Sequence, residues 1–160
     1  MNYTSIFSVD RYHNHGNGTV TDKVTGLMWK KCSEGQVWDG NTCLGFATEM
    51  TLNQAVWENR AIWQVILGVK RKPKVWDEFA GYGDWRLPSV KELHSILLDD
   101  PHTPCINTKI FPNTPSLWFW TMPTNATLTQ ARLVSFCGGY VNDSYRDIHH
   151  AVRLVRKEKT

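Results

Sequence analysis

The sequence predicts an α+β domain in which two helices pack on a small antiparallel sheet and are connected by long loops. Turn-forming clusters separate short strand-like runs over residues 11–30, a pattern typical of hairpins. Two helix-capping signatures follow, and the chain closes on a strand-like run at 152–156. A strand cannot stand alone, so we expect this last run to pair with the strand near 27–30. The length of 160 residues fits a single domain spanning 1–160.

The first strands are expected on either side of the cluster at 14–18, because its Asn-Gly step supplies positive φ at little cost. Residues 19–21 form the return strand of that hairpin, and a third strand begins at 27–29. A later strand is expected over 132–137, before a turn or bulge at the glycine pair 138–139.

Two helices are marked by capping boxes, in which a Ser or Thr is followed three residues later by Glu or Gln. The first helix is predicted over residues 51–67, where apolar residues recur near helical spacing. The second begins after Pro88 at Ser89 and Glu92, with an apolar stripe reaching to residue 97.

Composition excludes several classes of protein. The net charge of +3 is too mild to imply a nucleic-acid partner. No apolar run approaches the length of a membrane span. The first four residues lack the basic and apolar regions of a signal peptide, so an exported protein would carry its leader outside this chain.

The chain contains four cysteines, and their number and spacing favour disulfides. The absence of a C-x-x-C pair argues against a zinc ribbon or thioredoxin-like chemistry. Two disulfides imply an oxidising, extracytoplasmic setting, whereas four free buried thiols would suit a cytosolic protein. Of the three possible pairings we expect Cys32–Cys43, which closes a short polar loop, together with Cys105–Cys137.

Several segments, taken in order, carry a resemblance to a known family. They are Gly-Thr-Val-Thr-Asp at 18–22, Thr-Gly-Leu-Met-Trp at 25–29, Cys-Ser-Glu-Gly-Gln at 32–36, Trp-Asp-Gly at 38–40 with Cys43, Gly-Tyr-Gly-Asp-Trp-Arg-Leu-Pro at 81–88, Lys-Glu-Leu at 91–93, Phe-Pro-Asn-Thr-Pro at 111–115, and Val-Arg-Leu-Val-Arg at 152–156. The order resembles the family typified by the C-terminal domain of the Legionella collagen-like adhesin, over about residues 10–156.

The resemblance implies a C-type-lectin-like fold, distantly similar to formylglycine-generating enzymes, with ligands bound by loops and strands late in the chain. It also implies an adhesion role at a bacterial surface, binding of sulfated glycosaminoglycans, and a possible homotrimer. Within such a fold we expect Trp29, Trp85, Arg86 and Pro88 to be structural, with Arg86 in a buried ion pair.

Two segments are candidate ligand-binding surfaces. The basic loop Lys70, Arg71, Lys72 and Lys74 makes a local positive field that attracts sulfate or phosphate groups, although charge runs are often only solvated loops. The stretch 140–150 combines aromatic with small polar residues that suit adaptable recognition, although it could be a plain polar hairpin loop. Its candidate residues are Tyr140, Asn142, Asp143, Tyr145, Arg146 and His149.

Catalytic and metal chemistry are minority interpretations. A formylglycine-generating enzyme needs two reactive cysteines late in the chain, and only Cys137 lies there. The Val-Asn-Asp run at 141–143 partly matches a calcium-lectin strand, but the acidic loop motif is missing. The histidine pairs 13/15 and 149/150 have no accompanying carboxylate or Cys cluster. We therefore expect no catalytic residue, metal or cofactor.

These observations together predict an extracytoplasmic binding module that recognises a glycan or another polyanionic surface ligand, with a sulfated glycan favoured. The alternative is a non-catalytic structural or protein-interaction subunit of a surface assembly.

Overall fold

A computed structural model describes residues 11–56, 76–99, 102–122 and 129–158. Within these ranges the chain forms short strands in three antiparallel sheets, together with two short helices. In chain order the elements are β1 (Tyr12–Asn14), β2 (Thr19–Asp22), β3 (Leu27–Lys30), β4 (Val37–Trp38), β5 (Cys43–Leu44), α1 (Leu52–Val56), α2 (Val90–His94), β6 (Trp118–Trp120), β7 (Gln130–Ser135), β8 (Val141–Tyr145) and β9 (Val155–Lys157). The predicted α+β class is confirmed.

The first sheet brings the two ends of the described chain together in the order β1-β2-β3-β9. β1 and β2 form the predicted hairpin. β9 runs antiparallel to β3 with Val155 opposite Trp29, which confirms the expected pairing of the terminal strand. The strand begins three residues later than predicted, because the backbones of Val152 and Leu154 bond to Glu34 and Lys30 before the ladder starts.

The other two sheets are smaller. β4 and β5 form a hairpin inside the loop that the Cys32–Cys43 disulfide closes. The third sheet has the order β6-β7-β8, which leaves β8 at an edge. In this sheet Leu133 of β7 lies opposite both Trp120 and Asn142.

Buried side chains cover both faces of the first sheet. Successive residues of a strand point to opposite faces, and the two rows enter different clusters. Trp29 and Val155 belong to one cluster, with Phe119 and Val134 of the third sheet. Met28 belongs to the other, with Trp120 and Trp85. The first and third sheets therefore contribute to both parts of the core.

Helix α2 is fixed to the first sheet by its own start. Ser89 and Glu92 form the predicted capping box, and Arg86 donates two hydrogen bonds of 2.8 Å to the Glu92 carboxylate. The Arg86 backbone forms a β-bridge with Val155. This pair is only partly buried, which corrects the expectation of a buried one, because both side chains reach the surface at the start of the helix.

Arg153 is fully buried and connects the residues before β9 to the end of β3. Its guanidinium donates to the carbonyls of Lys30 and Lys31 and to the hydroxyls of Ser33 and Thr114. It also lies over the rings of three core phenylalanines. All of these acceptors are uncharged, and burial lowers the pKa of Arg153 to about 9.

Several element boundaries differ from the predictions. Thr51 and Gln54 form the expected capping bonds at the start of α1, and of the predicted helix 51–67 only Leu52–Val56 lies within the described residues. Helix α2 ends at His94 rather than near residue 97, because Ser95 bonds back to the helix with its N–H and hydroxyl. β7 starts and ends two residues earlier than expected.

Candidate functional site

The candidate ligand surface is the edge strand β8 with the turn before it. β7 ends in a turn at Gly138 and Gly139, both with positive φ, as predicted. The ring of Tyr140 lies so close to Gly138 that an added Cβ would come within 2.7 Å of it. A glycine is therefore required for the Tyr140 ring to lie there.

β8 exposes nearly its whole length to solvent. Tyr140 is 69% exposed and Tyr145 59% exposed, with Asn142 and Asp143 exposed between them. Across the strand pair, Asp143 lies opposite Arg132 with 3.9 Å between the carboxylate and Nε. Asp143 and Tyr145 thus share one face of β8, Asn142 points to the other face, and Tyr140 lies at the entry to the strand.

The outer backbone edge of β8 is partly occupied by local hydrogen bonds, since Asp143 N–H donates to the Asn142 side-chain oxygen and the Tyr145 carbonyl accepts from Ile148 N–H. Ser135 N–H donates to the Tyr140 carbonyl, and Arg146 N–H donates to the Thr129 carbonyl. Because bonded and non-bonded pairs alternate along an antiparallel ladder, the backbone groups of Val141, Asp143 and Tyr145 face away from β7. No other strand in the described part of the chain pairs with this edge.

The far end of the strand is fixed to α1 and its preceding segment. The Arg146 carbonyl accepts from Leu52 N–H, and His150 and Met50 exchange two backbone hydrogen bonds. The His150 ring lies edge-on to Trp120 and hydrogen bonds to Ser144 at 2.9 Å. Burial lowers the pKa of His150, which favours the neutral ring. Residues 141–145 of this segment are therefore a strand rather than a loop, and long-range contacts hold the turn that follows them.

The structure brings only some of the predicted ligand-binding residues together. Tyr140, Asn142, Asp143 and Tyr145 share β8 or its entry, and His149 is exposed after the turn. Arg146 is half-buried, and its Nε is buried without a hydrogen-bond partner. The predicted basic loop, Lys70, Arg71, Lys72 and Lys74, lies outside the described residues.

One of the two predicted disulfides is wrong. Cys105 and Cys137 are both unpaired, although the Cys105 N–H bonds to the carbonyl of the neighbouring Phe136. The Cys105 thiol is buried against the Ser135 carbonyl. Cys137 lies past the end of β7, where the glycine turn leaves it exposed. The two sulfurs are therefore in different environments despite the closeness of their backbones.

The predicted structural residues lie in or beside the core. Trp29 and Trp85 are buried in different clusters. The Trp85 indole donates to the Phe79 carbonyl, and the Pro88 carbonyl accepts from Met122. The histidine rings at 13 and 15 meet edge-on, and His15 hydrogen bonds to Thr21. Among the residues that the structure describes, no group of three or more His, Cys, Asp or Glu is placed to hold a metal ion.

Two surface features were not predicted from the sequence. The hairpin β4-β5 presents Val37, Leu44 and Phe46 to solvent, with Phe46 93% exposed. A cleft also opens at residues 81–84, beside Arg156. The Gly-Tyr-Gly-Asp run at 81–84 was a usable signal for the cleft, because paired glycines mark open backbone.

Comparison with known proteins gives one match. The family model of the Lcl C-terminal domain matches residues 18–156. No curated protein and no solved structure matches the chain. In the described part of the chain, no helix combines the length and the apolar character needed to cross a membrane. Because the matched region is most of the sequence, the chain belongs to the Lcl C-terminal domain family.

Proposed function

We propose that the chain is a non-catalytic, extracytoplasmic binding module used in adhesion, and that it recognises a surface carbohydrate or polyanion, with a sulfated glycan favoured. Membership of the Lcl C-terminal domain family supports the adhesion-related role. The Cys32–Cys43 disulfide supports the extracytoplasmic setting. A C-type-lectin-like fold and a homotrimer belong to the same proposal, and the pairing of β9 with β3 is consistent with that fold.

The observation that carries the proposal is the exposure of Tyr140, at the entry to β8, and of Tyr145, at its end, on an edge strand held at both ends. Exposed aromatic rings give contact area at low cost in side-chain entropy, and an adjacent amide and carboxylate add hydrogen bonds. The bonds at Ser135 and Arg146 hold the strand in place. A ligand would therefore meet a preorganised surface, which improves affinity by lowering the entropy lost on binding.

The positive charge that would attract a polyanionic ligand is assigned to the basic loop on the basis of its sequence. On β8 itself, Asp143 lies opposite Arg132, so this strand is close to electrically balanced. The four cations of residues 70–74 supply the excess positive charge. The basic loop would thus attract the sulfate groups of the ligand, and the tyrosine rings at β8 would contact its sugar.

The cysteines argue against one type of enzyme, the formylglycine-generating type. The reaction of a formylglycine-generating enzyme needs two cooperating thiols, and here Cys105 is buried while Cys137 is exposed. A reactive thiolate needs an accessible, electropositive setting, and the burial of Cys105 removes one of the pair from substrate.

The test is binding to a panel of sulfated and neutral glycans at low and at physiological salt. Binding by the unmodified chain should be confined to sulfated members and weaken with salt, because exposed charges are screened over about 8–10 Å under these conditions. Tyr140→Ala with Tyr145→Ala should reduce affinity at least about tenfold without unfolding the domain.

A charge-matched pair of variants separates the basic loop from general charge. The first variant reverses the loop by substituting Glu at Lys70, Arg71, Lys72 and Lys74. The control makes the same change in charge at four exposed lysines elsewhere, Lys23, Lys91, Lys109 and Lys157. Loss of binding only in the first variant supports the proposal. Equal loss in both variants, or retained binding in the first, contradicts the role of the loop.

A second candidate function, that of a protein-interaction subunit, is favoured by the apolar surface of the hairpin β4-β5. Val37, Leu44 and Phe46 are exposed there, and the disulfide and the Asn113 side chain fix the hairpin's base. Light scattering distinguishes the two functions when it is combined with the glycan panel. A defined oligomer with no glycan binding would favour the interaction subunit.

A further inference from the structure

The strands β7 and β8 pack one of their two faces against the core. Leu133 and Ala131 of β7 are buried. Residues that lie directly opposite each other in paired strands point to the same face, so Asn142 and Ser144 share the face of these two residues. On that face Ser144 hydrogen bonds to His150 at 2.9 Å. A ligand that approaches the strand pair from the side away from the core therefore meets the other face.

Three exposed side chains of this outer face lie next to one another. Arg132 of β7 lies opposite Asp143 of β8, and Tyr145 follows two residues later on the same side of β8. The side chains of Arg132 and Asp143 are 56% and 59% exposed, and Tyr145 is 59% exposed. Diagonal neighbours across a strand pair are about 7–8 Å apart, within reach of long side chains. A guanidinium, a carboxylate and an aromatic ring therefore form one small surface.

The charged groups of this surface keep their hydrogen-bonding capacity. Nε of Arg132 lies 3.9 Å from the Asp143 carboxylate, beyond the range of about 2.7–3.2 Å for a hydrogen bond. By contrast, Arg86 donates two hydrogen bonds of 2.8 Å to Glu92. In the described part of the chain, neither the guanidinium of Arg132 nor the carboxylate of Asp143 forms a hydrogen bond. Both groups therefore remain available to a ligand.

A donor beside an acceptor suits hydroxyl groups better than sulfate. A hydroxyl both donates and accepts hydrogen bonds, so two neighbouring hydroxyls of a sugar can accept from Arg132 and donate to Asp143. A sulfate can only accept, and the Asp143 carboxylate would repel it. The ring of Tyr145 lies beside the pair and offers an apolar surface to the C–H groups of a sugar ring.

We propose that Arg132, Asp143 and Tyr145 form the subsite for an unsulfated part of the ligand, and that they bind two neighbouring free hydroxyls of one sugar ring. This inference rests on the carbohydrate binding proposed above for β8 and makes the chemistry of that site more specific. Arg132 becomes a ligand-binding residue, although it lies in neither of the two segments identified in the sequence. The sulfate groups of the same ligand then bind elsewhere on the chain.

The carboxylate gives this subsite a signature that general electrostatics does not share. Asp143→Asn makes the chain more positive, which by charge alone would strengthen the binding of a polyanion. In the subsite, the same change deprives a sugar hydroxyl of its charged acceptor. Since hydrogen bonds to charged groups are the stronger ones, binding should instead weaken about tenfold.

The experiment is a calorimetric titration of the full chain with heparan sulfate and chondroitin sulfate, each in an untreated form and in a form treated with periodate and then borohydride. The treatment cleaves neighbouring free hydroxyls and leaves the sulfate groups in place. The unmodified chain should bind the treated form about tenfold more weakly. Asp143→Asn and Arg132→Gln should each bind the untreated form about tenfold more weakly, and each should bind the two forms about equally.

Two controls make the same changes in charge at exposed residues elsewhere. Glu78→Gln matches Asp143→Asn, and Lys23→Gln matches Arg132→Gln. Both controls should still bind the treated form more weakly, and chemical denaturation checks that every variant is folded. Equal binding of the two forms by the unmodified chain, or stronger binding by Asp143→Asn, overturns the subsite and leaves the proposed adhesion function standing. If the unmodified chain binds neither untreated glycan, the proposed function fails and the subsite fails with it.

Discussion

The inner strands of the first sheet and the edge strand β8 of the third sheet differ in burial. In the β1-β2-β3-β9 sheet every residue of β2 and β3 is buried, and the terminal strand β9 contributes two more buried residues. In the third sheet the edge strand β8 has no fully buried residue. The core therefore takes in every residue of β2 and β3, whereas β8 contributes no buried residue and is held by its pairing with β7 and by contacts at its far end.

The ion pairs of the two sheets also differ in burial. Asp22 of β2 is fully buried and receives two hydrogen bonds from Arg11. Burial opposes ionisation of Asp22, but the hydrogen bonds from Arg11, the Val24 N–H and the Thr25 side chain, together with the charge of Arg11, lower the pKa of this carboxyl. The Arg132–Asp143 pair of the third sheet is long and mostly exposed. Exposed pairs of this kind contribute at most about 1 kcal/mol.

Removing the buried guanidinium that precedes β9 should produce the largest effect on stability. We expect Arg153→Met to lower the free energy of unfolding by about 3 kcal/mol or more, because two carbonyls and two hydroxyls lose their buried donor. Chemical denaturation at pH 7 measures the change.

The matched control is Arg132→Met in β7, where the side chain is more than half exposed. Its effect should stay within about 0.5 kcal/mol. If the two variants lose similar free energies of unfolding, the buried guanidinium of Arg153 contributes no more to stability than the exposed one of Arg132.

The parts of the fold with strong local signals were predictable from the sequence. The capping box at Ser89 and Glu92 and the hairpin around the cluster at 14–18 depend on neighbouring residues, and both form as predicted. The pairing of β9 with β3 followed from the need of a terminal strand for a partner. Such features need no knowledge of distant contacts.

Features set by distant contacts were not predictable. The missing Cys105–Cys137 bridge depends on how the end of β7 turns, which cysteine counting does not describe. The segment at 140–150 is polar enough to suggest a loop, but β7 and Met50 hold it in place. For the candidate site, composition identified the residues of β8, and only the structure showed which of them are exposed together.

An intermediate effect is expected where helix α2 meets the first sheet. Hydrogen bonds from Arg86 lower the pKa of Glu92, against the opposing effect of burial. Because the folded-state pKa is lowered, this stabilisation is present above the unfolded pKa of 4.5. It is lost as the pH falls through the lowered folded value.

The variant Glu92→Gln should therefore lose about 1 kcal/mol of stability at pH 7 and much less near pH 3. Denaturation at a series of pH values measures the difference from the unmodified chain. Glu78→Gln, at an exposed carboxylate in the loop before α2, is the control. Its difference in stability from the unmodified chain should not change between pH 7 and pH 3. A constant difference for Glu92→Gln at all pH values would exclude the ion pair as its cause.

The smallest effect is expected on β8, and the same substitution can be made in both sheets. Asp143→Ala removes a partner of a 3.9 Å exposed pair and should change stability by at most about 0.5 kcal/mol. Asp22→Ala removes a buried carboxylate and leaves Arg11 without two hydrogen bonds, so it should cost about 3 kcal/mol. Thermal and chemical denaturation of the two variants measure the loss of stability that each substitution causes. A large loss for Asp143→Ala would show that β8 is part of the structural framework, and its exposed residues would then be constrained by folding rather than free to serve recognition.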